Sequence, residues 1–195
     1  IRQTLSSSDK DDSLRESMKP FVRKLVLPEL DRLGWSKSEN EPHLDSLLRP
    51  TVIAMAAGAD HQPTVDHSLN LYRQLIDSSK PVDPDLRSIV YSTAARLGAD
   101  KEYAELINLY EKTTSADERV TLTGAITSFE QPEIHAKVLQ YVRDGFVKPQ
   151  DILYWLAYSL MNRHARLSTW SWIKENWQWL ADTIGTDLSF YRIPM

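Results

Sequence analysis

The sequence predicts an all-α protein, a solenoid of antiparallel helix pairs, and three observations lead there. Apolar residues recur at spacings of three and four along most of the chain, the period of one helix face. No run of alternating β-branched residues suggests a strand. Helix starts fall roughly every 16–21 residues, so a pair repeats at about 35–40, the size of an α-solenoid unit.

The elements follow in order. Leu14, Met18, Phe21, Leu25 and Leu33 form one apolar stripe, expected to be broken or bent near Pro28 and closed by Gly34. The longest apolar run, VIAMAAGA at Val52–Ala59, is expected to end a second helix at Gly58. Proline at a first helical turn, where its missing N–H costs nothing, opens helices at Pro63, Pro84, Pro132 and Pro149. Asp83 caps the one at Pro84. The stripes Leu69, Tyr72, Leu75 (or Ile76) and Ile89, Thr93 (or Ala94), Leu97 fill the third and fourth helices. Tyr103, Leu106 (or Ile107) and Tyr110 mark the next. Ser115 and Glu118 have capping-box spacing ahead of Leu122, Ala125, Ile126 and Phe129. Val138, Leu139 and Val142 precede Gly145; Ile152 (or Leu153), Leu156 and Leu160 come next. Gly34, Gly58, Gly98, Gly145 and Gly185 are each expected in the left-handed position past a helix end.

Four of the six tryptophans crowd into TWSWIKENWQWLADTI, from Thr169 to Ile184. On a continuous helix Trp170 and Trp177 share a stripe with Ile173, Leu180 and Ile184, and are assigned to the core. Trp172 and Trp179 fall on the more polar side. There they are expected to meet a neighbouring helix or to line a groove.

Net charge is −4, from 23 Lys+Arg and 27 Asp+Glu, with no basic run or patch. That excludes the electrostatic footprint of a nucleic-acid binder, and with it base stacking by the indoles. No apolar run approaches the ~20 residues of a membrane span, and no signal-peptide pattern opens the chain. The absence of cysteine removes disulfides, thiol catalysis and thiolate ligands, and fits a cytoplasmic setting. Ile1 in place of methionine and the plain SFYRIPM ending point to a single helical-repeat domain, residues 1–195, truncated at both ends from a larger polypeptide.

A catalytic apparatus is not visible. The five histidines form no H-E-x-x-H and no i, i+4 pair; His61 and His67 would lack two good ligands, and all five read as surface residues. No G-x-S-x-G, phosphate loop or dinucleotide fingerprint occurs. The acidic pairs Asp11-Asp12 and Asp83/Asp85 sit at helix starts, where they complement the dipole. Arg163 and Arg166 flank the turn before the tryptophan helix. They either complement a helix C-terminus or capture a carboxylate.

Several stretches nevertheless resemble one family in order and spacing. They are LGWSKSENEPHLDSLLRPTVIAMA, DPDLRSIVYSTAARLGADKEYAELINLYEKTTSADERVTLTGAI and NRHARLSTWSWIKENWQWL. Gly34-Trp35, Leu47-Leu48-Arg49, Pro84 to Tyr91, Tyr110, Ser115 to Glu118, and Asn162, Arg166, Trp170, Lys174, Asn176 and Trp177 carry the pattern. The chain resembles the C-terminal helical domain of zinc aminopeptidases: aminopeptidase N, the puromycin-sensitive enzyme and the endoplasmic-reticulum aminopeptidases. The resemblance implies a HEAT- or armadillo-like bowl closing over an upstream catalytic domain of the same chain. Peptide substrate would be enclosed between them. It places zinc and the catalytic residues in that domain, leaving no catalytic or metal residue here. Arg163, Arg166, Trp172 and Trp179 are the peptide-facing candidates. Antigen-trimming relatives hold the peptide carboxyl end with a Tyr-Lys pair and an arginine, at positions that align near Gln3, Thr4 and Ser128, so the resemblance does not extend to that capability, and cysteines common in secreted relatives are missing. Both departures point to a cytosolic, general peptide-trimming parent. The alternative is a free-standing α-solenoid that binds a protein partner.

Overall fold

The computed structural model describes residues 12–77 and 80–185. Among them lie ten α-helices and no strand, so the chain is all-α. The first is α1 (Asp12–Leu33), followed by α2 (His43–Gly58), α3 (Gln62–Ile76), α4 (Pro84–Leu97) and α5 (Asp100–Lys112). Then come α6 (Ala116–Ile126), α7 (Pro132–Arg143), α8 (Pro149–Met161), α9 (Arg166–Glu175) and α10 (Trp177–Ile184). The chain divides into two compact units, Ile1–Ala94 and Ala95–Met195.

In the first unit α1 runs unbroken through Pro20 and Pro28. The carbonyls that lose an N–H partner to those prolines belong to the exposed residues Glu16 and Lys24, which face solvent. Gly34 ends the helix in the left-handed conformation (φ 58°), its N–H donating to the Leu30 carbonyl at 2.8 Å. α1 and α2 pack antiparallel, and ties along their length fix the register. Lys19 reaches Asp60 at 2.6 Å, Arg23 donates to the Ala59 carbonyl at 2.8 Å, and Arg32 forks onto Asp45 at 2.7 and 2.8 Å. The buried face of α1 is Val26, Leu30 and Leu33; that of α2 is Val52, Ile53, Ala56 and Ala57.

The expected stripe of α1 is therefore corrected. Leu33 is buried, but Leu14, Phe21 and Leu25 are 50%, 60% and 60% exposed. The helix carries two apolar faces, and α2 takes the one that period counting did not choose.

The signature segments acquire roles here. Arg49, from Leu47-Leu48-Arg49, is buried at the end of α1. Its Nε and Nη2 donate to the Leu33 carbonyl at 3.2 and 3.1 Å, and its guanidinium pairs with Glu41. Ser46 also donates to Glu41, at 2.7 Å. Hydrogen bonds from Arg49 and then Ser46 hold the Glu41 carboxyl down to about 2. Trp35 lies against His67 of α3, ring centroids 4.2 Å apart, and Lys37 pairs with Asp85 at 2.8 Å. The α1–α2 connection is thus pinned to both following helices.

Helix ends largely follow the sequence. Asp83 accepts from the Asp85 N–H at 3.0 Å, and Ser115 from that of Glu118 at 3.3 Å. The second half of the Ser115 capping box does not form, because the Glu118 carboxylate accepts from the Thr113 hydroxyl at 2.9 Å instead. Among the described residues only Gly34 and Gly145 are left-handed glycines, so Gly58, Gly98 and Gly185 differ from expectation. Gly58 is the last residue of α2, and the left-handed residue is Asp60 (φ 53°); Gly185 has φ −62°. Asp tolerates the left-handed region better than most residues, and Asp60 is further held by Lys19. Leu97, expected in the core, is 50% exposed at the end of α4.

The second unit is built around α8, which packs against α6, α7, α9 and α10. Trp155 sits at its centre with no exposed surface. Tyr110 meets it edge-on at 5.2 Å, Tyr141 stacks on it at 5.6 Å, and Phe146 stacks on Tyr141 at 5.0 Å. Of the core stripes expected for α5 to α8, Leu106, Tyr110, Leu122, Ala125, Ile126, Phe129, Val138, Leu139, Val142, Ile152 and Leu156 are buried, while Tyr103 and Leu160 are half-buried.

Candidate functional site

The tryptophan segment is not one continuous helix. It breaks at Asn176 (φ −106°, ψ 17°), whose backbone N–H and side-chain amide both donate to the Trp172 carbonyl at 2.9 Å. Thr169, Ile173, Leu180 and Ile184 form the buried line. Trp170 and Trp177, expected in the core, are 38% and 40% exposed. Neighbouring packing is the reason. The end of α7 lies on the opposite edge, where the Arg143 guanidinium stands 4.5 Å over the Trp179 ring. Small Thr169 takes the inward position beside Trp170.

Trp172 and Trp179 are brought together edge-to-face at 6.0 Å, both half-buried. With Arg143 they make an aromatic–cation cluster on α7, α9 and α10. Cation–π contact of this kind contributes about 0.5–1 kcal/mol when exposed. Arg166 lies at the α8–α9 turn and donates from Nε to the Leu160 carbonyl at 3.0 Å, complementing the end of α8. Arg163 occupies the same turn, half-buried. Arg143 was not legible in the sequence: it sits 36 positions from Trp179, and no spacing rule spans separate helices.

The α8–α9 turn is anchored from below. Asn162 donates to the Thr127 and Phe129 carbonyls at 2.9 and 2.6 Å. His135, expected at the surface, is buried beneath, its Nε2 2.5 Å from the Phe129 carbonyl. That contact requires the proton on Nε2, leaving Nδ1 as a buried lone pair with no partner among the described residues. Burial holds the His135 imidazole below its ordinary 6.5, against a smaller upward pull from the Phe129 carbonyl; His164 acts in the same direction as burial. The unfolded chain therefore takes up a proton near pH 6.5 that the native chain refuses. Stability is full above 6.5 and falls as pH drops below it, until the native ring itself protonates. Thermal midpoints measured from pH 7.5 to 5.5 should decline, and His135→Gln should flatten that slope.

An open groove of about 510 Å³ lies between α5 and α7, lined chiefly by Tyr103, Tyr141, Phe146, Lys137 and Asp144. Burial pushes the Tyr103 hydroxyl up to about 12, and burial with Glu111 raises that of Tyr141, which donates to Glu111 at 3.0 Å. Both remain protonated at neutral pH, and Lys137 is paired with Asp100 at 2.7 Å. The groove offers contact area, not a nucleophile or base. Among the described residues no group of three or more His, Asp or Glu could hold a metal ion. The zinc that the family resemblance implies therefore has no fitting donor set among them. No helix among them is long and apolar enough to cross a membrane.

Comparison with known proteins agrees with the architecture. A family model described as the ERAP1-like C-terminal domain matches residues 1–194. The chain is similar to "Aminopeptidase N" of Lactococcus lactis subsp. lactis, 30% identical over 187 residues, covering 93% of this chain and 22% of the relative. It is 28% identical to "Aminopeptidase M1-D" of Oryza sativa subsp. japonica, covering 91% and 20%, respectively. It is 25% identical to "Alanine/arginine aminopeptidase" of Saccharomyces cerevisiae, covering 87% and 20%. The chain thus spans about a fifth of the length of these relatives. An all-α chain matched over nearly its full length, it belongs to the ERAP1-like C-terminal domain family.

Proposed function

We propose that this chain is the C-terminal helical domain of a longer zinc-dependent aminopeptidase that removes amino-terminal residues from peptides. The observation that carries the reading is the family match over residues 1–194, joined to relatives named aminopeptidases of which it covers about a fifth. Zinc and the bond-cleaving residues then belong to a catalytic domain upstream in the same polypeptide. The helical chain encloses peptide against that domain, in a cytoplasmic setting. Arg163, Arg166, Trp172 and Trp179 face the enclosed peptide. Arg143, 4.5 Å over the Trp179 ring, sets a cation beside that candidate surface.

The purified chain, with or without added zinc, should not hydrolyse aminoacyl amides, whereas the parent should, and should lose activity to a chelator. Turnover by the chain alone would overturn the reading, as would a parent gene without a catalytic domain. In the parent, Arg163→Ala and Trp179→Ala should raise KM for long peptides on the order of fivefold, the loss of about 1 kcal/mol of binding. Turnover of a single aminoacyl amide should not change. Equal effects on both substrates would remove these residues from the peptide surface.

A further inference from the structure

Among the described residues of its unit, the outward stripe of α1 has no helix packed over it as α2 is packed over the other face. Leu14, Met18, Phe21 and Leu25 follow a 4-3-4 spacing, the seam by which a helix inserts its side chains into a facing surface. Met18 is half-buried and the other three are at least half exposed, while α2 occupies the face of Val26, Leu30 and Leu33. A single exposed leucine needs no explanation, but an ordered apolar row marks an interaction surface. A helix apolar on two sides is normally held between two layers.

We propose that this row is the docking surface for the domain that precedes α1 in the parent polypeptide. The inference rests on the function proposed above. Two observations select this occupant. The relatives are about five times longer than the chain, so a large folded body accompanies this domain in them. Elements consecutive in sequence pack beside one another in most folds, and the row begins in the first turn of α1, with Leu14.

Hydroxyl-radical footprinting of the 195-residue chain and of the intact parent tests this. Oxidation of Met18 and Phe21 should be fast in the chain alone and on the order of fivefold slower in the parent, as side chains come into contact there. Phe21→Asp with Leu25→Asp should leave the thermal midpoint of the chain unchanged and lower that of the parent. Equal oxidation rates in both proteins would overturn the docking surface while leaving the aminopeptidase reading intact. Protection in the chain alone that rises with concentration, alongside a dimer in sedimentation equilibrium, would assign the row to a second copy and also overturn it. A parent without a catalytic domain would remove the functional reading first.

Discussion

Trp155→Ala is expected to cost about 3–5 kcal/mol, the range for deleting a large aromatic from a packed core. Trp155 is fully buried and touches rings on two sides: Tyr110 edge-on and Tyr141 face-on. Removing it leaves a cavity that these rings cannot fill without leaving Glu111 and Phe146, to which Tyr141 is bound. Domains of this size are stable by roughly 5–15 kcal/mol, so the variant should unfold at much lower denaturant. Trp177→Ala is the matched control. Trp177 is 40% exposed, and its loss should cost less than about 1 kcal/mol. Chemical denaturation followed by far-UV circular dichroism measures both, and similar losses for the two variants would contradict the packing described.

Arg49→Met is expected to have the second large effect, in the first unit. The guanidinium caps the last carbonyl of α1 and binds Glu41 from a buried position. Methionine keeps much of the volume but leaves the Leu33 carbonyl without that partner, with an expected cost of about 2–4 kcal/mol. Arg49→Lys should recover little, since one ammonium cannot reproduce a fork that reaches a carbonyl and a carboxylate together. Arg32→Met removes an exposed fork onto Asp45 and should change stability far less. Thermal unfolding of the three variants checks the order; a mild Arg49→Met would reduce the buried pair to ornament.

Helix identity was legible because it is local: proline and acidic caps, together with the three-four period, marked α3 to α8 with few errors. Facing was harder. On α1 two apolar rows compete, and only the placement of α2 decides between them. On the tryptophan segment the wheel assumed continuity through Asn176, and it could not know that α7 covers the Trp179 edge. Long-range partners escaped entirely. Arg143 on Trp179, Asn162 on Phe129 and His135 beneath them join residues that no helical spacing connects. The ordered family segments were legible as a pattern, whereas the work of Arg49 became visible only once the end of α1 was placed beside it.

Gly145, at φ 83°, has an outsized reach. Its left-handed turn aims Phe146 back across Tyr141, and Phe146 roofs the ring that in turn walls Trp155. Any residue with a Cβ would resist that backbone geometry and swing the roof away. One dihedral in a surface bend therefore sets the ring that stacks on a neighbour of the buried indole. Variation at position 145 should be read by its effect on the interior.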